Sequence, residues 1–320
     1  MKKLIALLLT ASALLVLASC GYSPKPVDGR TVITLSGEKV KYDYFRYVFL
    51  NTKNDMDGGD KEYWTKHPEA FETLKETVLD TLVNNRAIAL LASEQKLALT
   101  KEEKKEIADY LKALKKTDGY SEGLSSSFMT EYSLHYIQSF TELWRKVYDH
   151  YVSDESGLIE SSDATVLADV PVNFRRIRYV MLSFTDANRD ETRERAEDIK
   201  ESADLGGDFA TLVKDHCDDP SMSESAEEGY YYTVGQLIPE MEKAVEKLSA
   251  SQISEVIEIS GAFFIVQRLE IDMEYVKANL EDFVTMYKAR VFNELLAEKK
   301  KTVKVETTEL WDSLELSDVK

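Results

Sequence analysis

The stretch Gly-Gln-Leu-Ile-Pro-Glu-Met-Glu-Lys-Ala-Val-Glu-Lys-Leu at residues 235–248 decides the fold. A glycine turn leads into a short helix that is entered through Pro239. Four apolar residues recur there at spacings of four, four and three: Leu237, Met241, Val245 and Leu248. Two short β-branched runs follow, separated by Ser260-Gly261, and this pattern favours a hairpin. The stretch therefore predicts a short amphipathic helix that packs on a small sheet.

The composition is that of a folded, strongly acidic protein. The chain has 320 residues, of which 43% are hydrophobic and 31% are charged, and its formal net charge is -18. Lys2 and Lys3 are the only charges before residue 20, so without them 38 basic and 58 acidic side chains give -20. Such a surface repels phosphate backbones, which argues against nucleic-acid binding. The length suits two domains, or one compact domain with an elaborated second lobe, and the charge is compatible with basic or unfolded polypeptide clients.

The first residues have the pattern of an export signal. Two lysines precede an apolar run from Leu4 to Leu17, which is too short for a membrane span of about 20 residues. The run closes with Leu-Ala-Ser-Cys at residues 17–20, which resembles a bacterial lipoprotein signal. The resemblance implies a signal peptide at 1–19, cleavage and lipidation at Cys20, and a tether at 20–30. The protein is then extracytoplasmic and lipid-anchored to the bacterial cell membrane.

The second cysteine, Cys217, has no disulfide partner once Cys20 carries lipid. It stands in His216-Cys217-Asp218-Asp219, where four consecutive residues cannot all turn toward one ion. We therefore predict no metal site and no cofactor, and we interpret Cys217 as a small residue at a helix end.

Residues 31–152 read as a hairpin followed by helices. Thr31–Leu35 and Lys39–Lys41 form the predicted strands, and Thr100-Lys-Glu-Glu103 is a capping box that begins a helix. The helix over about 130–152 carries an aromatic stripe, which fits either a core face or part of a groove for extended chains. The polar, acidic segment 153–173 is the predicted linker.

Residues 174–270 resemble a parvulin-type peptidyl-prolyl isomerase domain. The order is a strand from Phe174, a charged helix, Gly-Gly-Asp-Phe at 206–209, Asp-Asp-Pro-Ser at 218–221, the Gly-Gln helix and the closing hairpin. The layout of 31–152, with its Gly-Glu-Lys-Val and Tyr-Phe-Arg-Tyr opening, resembles the chaperone lobe of the SurA and PrsA foldases. In that family a C-terminal segment returns to this lobe, so residues 271–320 are expected to complete it with a helix and a strand. The expected fold class is α+β, a helical chaperone lobe with an inserted parvulin-like domain in which a small antiparallel sheet packs with helices.

The resemblance also implies a polar network beneath a proline pocket. Parvulins place two histidines and a Cys or Asp there, and these positions fall on Tyr179, Phe264 and Asp219 of this chain. Both histidines are therefore replaced, and Phe264 has no hydrogen-bonding group. Asp219 matches the family, although an Asp before Pro220 also has a structural use in turning the chain.

The same resemblance implies the substrate-binding residues of the proline pocket: Leu237, Ile238, Met241 and Tyr232. An apolar pocket with a depleted polar network predicts a foldase that assists exported proteins, with weak isomerase activity toward X-Pro segments. The alternatives are a non-enzymatic holdase or assembly lipoprotein that uses the domain as a peptide-binding module, and a surface lipoprotein for adhesion or ligand capture. Unfolded or partly folded exported polypeptides are the partners that the first two functions imply.

Overall fold

The computed structural model describes residues 24–60, 62–259 and 261–319, so the predicted signal peptide and Cys20 lie outside the described residues. The chain divides into two compact units. One ends at Ser156 and resumes at Phe292, and the other is Gly157–Val291. Across the described residues, no helix has both the length and the apolar character that crossing a membrane requires.

The elements follow one another along the chain in three blocks. The first unit opens with β1 (Thr31–Leu35), β2 (Glu38–Lys41), α1 (Tyr42–Asp57), α2 (Tyr63–Lys66), α3 (Ala70–Glu94), α4 (Lys101–Leu114), α5 (Tyr120–Ser126) and α6 (Glu131–Val152). The second unit holds α7 (Asp163–Asn173), β3 (Phe174–Ser183), α8 (Arg189–Asp204), α9 (Phe209–His216), α10 (Pro220–Glu224), β4 (Tyr230–Thr233), α11 (Pro239–Glu246), β5 (Ile257–Ile259), β6 (Ala262–Leu269) and α12 (Met273–Ala278). Then come α13 (Leu280–Lys301), within which the division falls, β7 (Val305–Thr307), α14 (Glu309–Asp312) and a 3-10 helix at Leu316–Asp318.

The first unit draws its sheet from both ends of the chain. Its strand order is β2-β1-β7, and β7 pairs antiparallel with β1 so that Ile33 lies opposite Thr307. The buried side of β1 packs with α1 and α3, and Trp311 from α14 contacts Phe45 with ring centroids 5.9 Å apart. Burial of these apolar faces stabilises the unit because packing removes their apolar surface from water. The C-terminal segment is thus part of the core of this unit.

The predicted capping box at Thr100 is confirmed. The Thr100 hydroxyl accepts a bond from the Glu103 backbone amide, and the Glu103 carboxylate accepts one from the Thr100 amide. Two backbone donors at the start of α4 are thereby satisfied, which fixes where the helix begins.

The second unit is a four-stranded antiparallel sheet in the order β4-β3-β6-β5, so the predicted hairpin of β5 and β6 is present. Successive side chains of a strand point to opposite faces. One face of the sheet, with Val180 and Ile265, packs against α8 and α9, and the other, with Ile177 and Val266, packs against α11. The sheet is therefore covered by helices on both faces, and the α11 face carries the residues of interest.

Two segments differ from the sequence prediction. Residues 153–173 were predicted as a polar linker, but their second half forms α7, whose Val166 and Val170 are buried beside Phe174. The helix that was expected within residues 271–320 is divided at Asn279 into α12 and α13, and its residues up to Val291 group with the second unit rather than completing the first. At α7, burial of Val166 and Val170 outweighs the polar composition of the segment. At Asn279, the backbone and side-chain amides both donate to the Tyr275 carbonyl oxygen, which ends α12.

Candidate functional site

Tyr179 and Phe264 come together on the α11 face of the sheet. In the register of β3 and β6, Tyr179 lies opposite Val266 and Met181 lies opposite Phe264, so the two aromatic residues are diagonal neighbours. Their ring centroids are 5.8 Å apart with an interplanar angle of 62°. The two positions that replace the family histidines therefore form an edge-to-face aromatic pair.

Asp219 joins this pair through one hydrogen bond. The Tyr179 hydroxyl donates to Asp219 Oδ2 at 2.6 Å, and the Ser221 backbone amide donates to Asp219 Oδ1 at 3.0 Å. The second bond caps α10, which has Pro220 in its first turn. Asp219 thus has both the polar contact that the family resemblance implies and the structural use in turning the chain.

The Tyr179 hydroxyl stays protonated at neutral pH. Burial is the largest cause that raises its pKa well above the ordinary value for tyrosine, and the hydrogen bond to Asp219 adds to the effect. The anion would lie in a poorly hydrated place beside a carboxylate, so both causes favour the neutral phenol. Tyr179 is therefore a fixed hydrogen-bond donor and does not act as a base at physiological pH.

The predicted pocket residues, except one, belong to the same apolar cluster as Tyr179 and Phe264. Tyr232 and Met241 are buried in it, and Leu237 is packed against it while partly exposed. Burial raises the pKa of Tyr232 to about 12. Ile238 is 46% exposed and lies outside this cluster. The cluster supplies a wall of apolar side chains beside the Tyr179–Asp219 hydrogen bond.

Two polar residues that the sequence reasoning did not single out hold the loop before α11. Glu242 Oε1 accepts bonds from the backbone amides of Gly235 at 2.6 Å and Leu237 at 3.2 Å. Gln236 Oε1 accepts a bond from the Thr233 amide at 2.7 Å. Gly235 has a φ of 93°, a value that favours glycine. The acidic first turn of α11 was the only sequence signal for this arrangement.

Tyr230 is a second residue that the sequence reasoning missed. It lies opposite Ile177 in the pairing of β3 and β4, on the same face as Tyr179, and it is 46% exposed. Its ring is parallel to that of Tyr232, with an interplanar angle of 9° and centroids 6.3 Å apart. The signal was the alternation in Tyr-Tyr-Tyr-Thr, which places the first and third tyrosines on one face. Tyr230 thus extends the aromatic wall toward solvent.

Cys217 and Asp218 attach the segment between α9 and α10 to β3. Cys217 Sγ accepts a bond from the Met181 amide at 3.3 Å, and Asp218 Oδ2 accepts one from the Ser183 amide at 2.8 Å. Burial raises the pKa of the Cys217 thiol, which keeps it protonated and a poor nucleophile. In the part of the chain with described coordinates, no group of three His, Cys, Asp or Glu residues is placed to hold a metal ion.

This arrangement suits non-covalent catalysis of rotation about a peptide bond. The barrier of about 18–20 kcal/mol arises from amide resonance, which is lost when the bond twists. A site lowers the barrier by holding the twisted form better than either planar form. An apolar wall can hold a proline ring next to the neutral Tyr179 hydroxyl and the Asp219 carboxylate. Rotation of the X-Pro amide there breaks no covalent bond and needs no cofactor.

The chain is similar to one family model and to several known proteins. Residues 177–270 match the Rotamase family model, which is described as the PPIC-type PPIase domain. The chain is 24% identical over 277 residues to the foldase protein PrsA of Caldanaerobacter subterraneus, covering 84% of this chain and 83% of that protein. It is 28% identical over 111 residues to the chaperone SurA of Burkholderia lata, covering 34% of this chain and 24% of that protein. The crystal structure of PrsA from Bacillus subtilis aligns at 16% identity and a TM-score of 0.31, covering 77% of this chain and 92% of that one.

Proposed function

Because residues 177–270 are a PPIC-type parvulin domain in a chain homologous to the PrsA and SurA foldases, we propose that this protein is a membrane-anchored extracytoplasmic foldase with weak prolyl isomerase activity. The first unit holds unfolded exported polypeptides, and the second unit binds their X-Pro segments. The lipid anchor is Cys20, a proposal supported by the Leu-Ala-Ser-Cys sequence that follows the apolar run.

The apolar wall of Leu237 and Met241, which lies beside the hydrogen bond from Tyr179 to Asp219, carries the proposal of catalysis. That bond supplies a neutral donor and a carboxylate at the place where the resemblance puts the polar network, beside Leu237 and Met241. Binding of a proline ring against this wall removes its X-Pro amide from water. Preference for the twisted amide then requires only that the pocket fit that form better.

Phe264 carries the proposal that the activity is weak. Its side chain has no group that can donate to or accept from the twisting amide, and the Tyr179 hydroxyl beside it already donates to Asp219. The same observation favours the second candidate function, a non-enzymatic holdase in which the parvulin domain binds peptides. The chain leaves the first unit after Ser156 and returns to it at Phe292. This supports an inserted isomerase-like domain for both the foldase and the holdase function.

A protease-coupled prolyl-peptide assay tests the two functions. We expect the purified protein at micromolar concentration to accelerate isomerisation, and Asp219→Ala and Leu237→Ala to remove the acceleration. Lys243→Ala, in the last turn of α11 and outside the apolar cluster, is the control and should keep the activity. No acceleration by the unmodified protein, together with suppression of client aggregation, would leave only the holdase. If the protein shows neither acceleration nor suppression of aggregation, both functions are refuted.

A further inference from the structure

A pocket of about 260 Å³ lies in the second unit, at the end of the sheet where β6 leads into α12. Three arginines line it, Arg175 and Arg176 from β3 and Arg268 from β6. Arg268 lies opposite Ile177, two residues along β3 from Arg175, so these two arginines are diagonal neighbours on the α11 face. The pocket thus concentrates positive charge in a chain whose formal net charge is -18.

Arg176 contributes charge to the pocket but has its donors occupied. Its Nε, Nη1 and Nη2 donate to backbone carbonyl oxygens at 2.7, 3.1 and 3.4 Å. The acceptors belong to Glu228, Glu270 and Glu227 in that order. Because these bonds go to neutral carbonyl groups, they fix the side chain without neutralising its charge.

Arg175 and Arg268 keep donors that a ligand can reach. Arg175 Nη1 donates to the carbonyl oxygens of Val172 and Phe174 at 2.8 Å each, and Arg268 Nη1 donates to that of Leu248 at 2.7 Å. Within the described part of the chain, the Nη2 atoms of both arginines have no hydrogen-bond partner and are not among the buried unpaired atoms. Both Nη2 groups are therefore accessible, and a carboxylate in the pocket can accept from them.

The charges around the pocket leave it net positive. Glu270 is the acidic residue in its lining, and this side chain is exposed to solvent, which screens its charge. Burial and a nearby carboxylate raise the pKa of Tyr232, whereas the charges of Arg175 and Arg268 act in the opposite direction. The positive potential of the two arginines thus extends to this neighbouring hydroxyl.

The rest of the lining sets the form of the ligand. Phe174, Ile271 and Met273 supply apolar surface beside the arginines. A cavity of about 150 Å³ is large enough to hold benzene, so the 260 Å³ here has room for one side chain but not for a folded partner. An anion carried on a short apolar stem, such as the side chain of glutamate, matches both parts of the lining.

This pocket is separate from the proline pocket. Arg268 bonds to Leu248, which follows α11, and Ala250 also lines the arginine pocket. Leu237, from the wall of the proline pocket, precedes α11. The two pockets thus adjoin opposite ends of a helix of 8 residues, which is about 12 Å long.

We propose that this arginine pocket binds the carboxylate of an acidic side chain in an unfolded polypeptide, with Arg175 and Arg268 as the donors. The proposal rests on the foldase function for the nature of the ligand as a polypeptide, and it adds to that function a second contact on the parvulin domain. The acidic surface of the protein repels acidic segments. The pocket provides one place where such a segment is attracted instead.

Titration calorimetry with capped pentaglycine peptides that carry one central substitution tests the proposal on the full chain. A central glutamate should bind about tenfold more tightly than a central glutamine, since only the former makes charge-assisted hydrogen bonds. The net charge of the protein opposes this preference and so cannot produce it. Equal binding of the two peptides overturns the proposal. Pentaglycine with a free C-terminal carboxylate should bind more weakly than the glutamate peptide, and equal or tighter binding would assign the site to chain ends instead.

Three variants locate the binding. Arg268→Gln should weaken binding of the glutamate peptide about tenfold, whereas Arg145→Gln, the same change at an exposed position of α6, should leave it unchanged. Glu270→Gln removes the acidic residue from the lining and should tighten binding about two- to fivefold, which tests the site even if Arg268→Gln unfolds. Equal effects of the two arginine variants, or weaker binding by Glu270→Gln, overturn the proposal.

Failure of this proposal can be distinguished from failure of the foldase function. Isomerase activity on a proline peptide without acidic residues and suppression of client aggregation are measured on the same unmodified protein. If both are present while the glutamate preference is absent, the arginine pocket is not a carboxylate site and the foldase function stands. If the glutamate preference is present while both are absent, the carboxylate site stands and the foldase function is refuted.

Discussion

Removal of the Tyr179 hydroxyl isolates the hydrogen bond that joins β3 to Asp219 in the candidate site. Tyr179→Phe keeps the ring and its edge-to-face contact with Phe264, and deletes only the 2.6 Å bond to Asp219. Hydrogen bonds to charged groups contribute about 1.5–3 kcal/mol. Because both side chains are partly exposed, we expect a loss of about 1.5 kcal/mol in the free energy of unfolding of the second unit, at the lower end of that range.

A double-mutant cycle separates this bond from the cap. Asp219→Ala removes both the bond from Tyr179 and the capping bond from Ser221, so a loss of about 2.5 kcal/mol is expected, of which about 1 belongs to the cap. The double variant should then resemble Asp219→Ala, with a coupling energy of about 1.5 kcal/mol. Additive losses would refute the assignment of this energy to the Tyr179–Asp219 bond.

The assay has to report on the second unit alone. The three tryptophans, Trp64, Trp144 and Trp311, all belong to the first unit, so their fluorescence follows that unit and serves as the control. Amide hydrogen exchange of β3 and β6 measures opening of the second unit. If Tyr179→Phe lowers protection there but leaves isomerase activity unchanged, the bond is structural and takes no part in catalysis.

Two further predictions concern the same unit. Burial raises the pKa values of both Tyr179 and Cys217, so both side chains stay neutral. The isomerase kcat/KM should therefore vary less than about twofold between about pH 6 and 8. A pH–rate profile that rises or falls near the ordinary histidine pKa would contradict this. Gly229→Ala should destabilise the unit by about 3 kcal/mol, because its φ is 75° and a Cβ would lie 2.7 Å from the Ile177 carbonyl oxygen. Gly235→Ala, whose Cβ would meet open space, should lose only about 1 kcal/mol in chemical denaturation, and equal losses would refute the clash.

Local patterns in the sequence were sufficient to predict the elements whose ends are fixed by residues close together in the chain. The Thr100–Glu103 capping box and the hairpin that ends in β6 depend on residues close together in the chain, so short-range rules predicted them. α7 was missed because only two of its residues, Val166 and Val170, are fully buried, and they give too short an apolar period in a segment that begins with Ser and Asp.

The candidate site was less accessible to such rules. The resemblance selected Tyr179, Phe264 and Asp219, but not the hydrogen bond between the first and the last, which spans 40 residues. The acidic first turn of α11 did not by itself indicate that Glu242 would bind two backbone amides of the loop before its own helix. These contacts depend on tertiary placement, which spacing along the chain does not encode.

The Tyr179–Asp219 bond limits the mechanism as well as supporting it. A hydroxyl that donates to Asp219 at 2.6 Å would have to give up a charge-assisted bond before it could donate to a twisting amide. The cost of that exchange, about 1.5 kcal/mol by the reasoning above, offsets about tenfold of any rate gain from the new bond. Catalysis at this site therefore has to come mainly from the apolar wall of Leu237 and Met241, which acts by shape and by exclusion of water. Leu237→Ala should then lower the rate more than Tyr179→Phe does, and the reverse order would show that the hydroxyl takes part directly in the rotation.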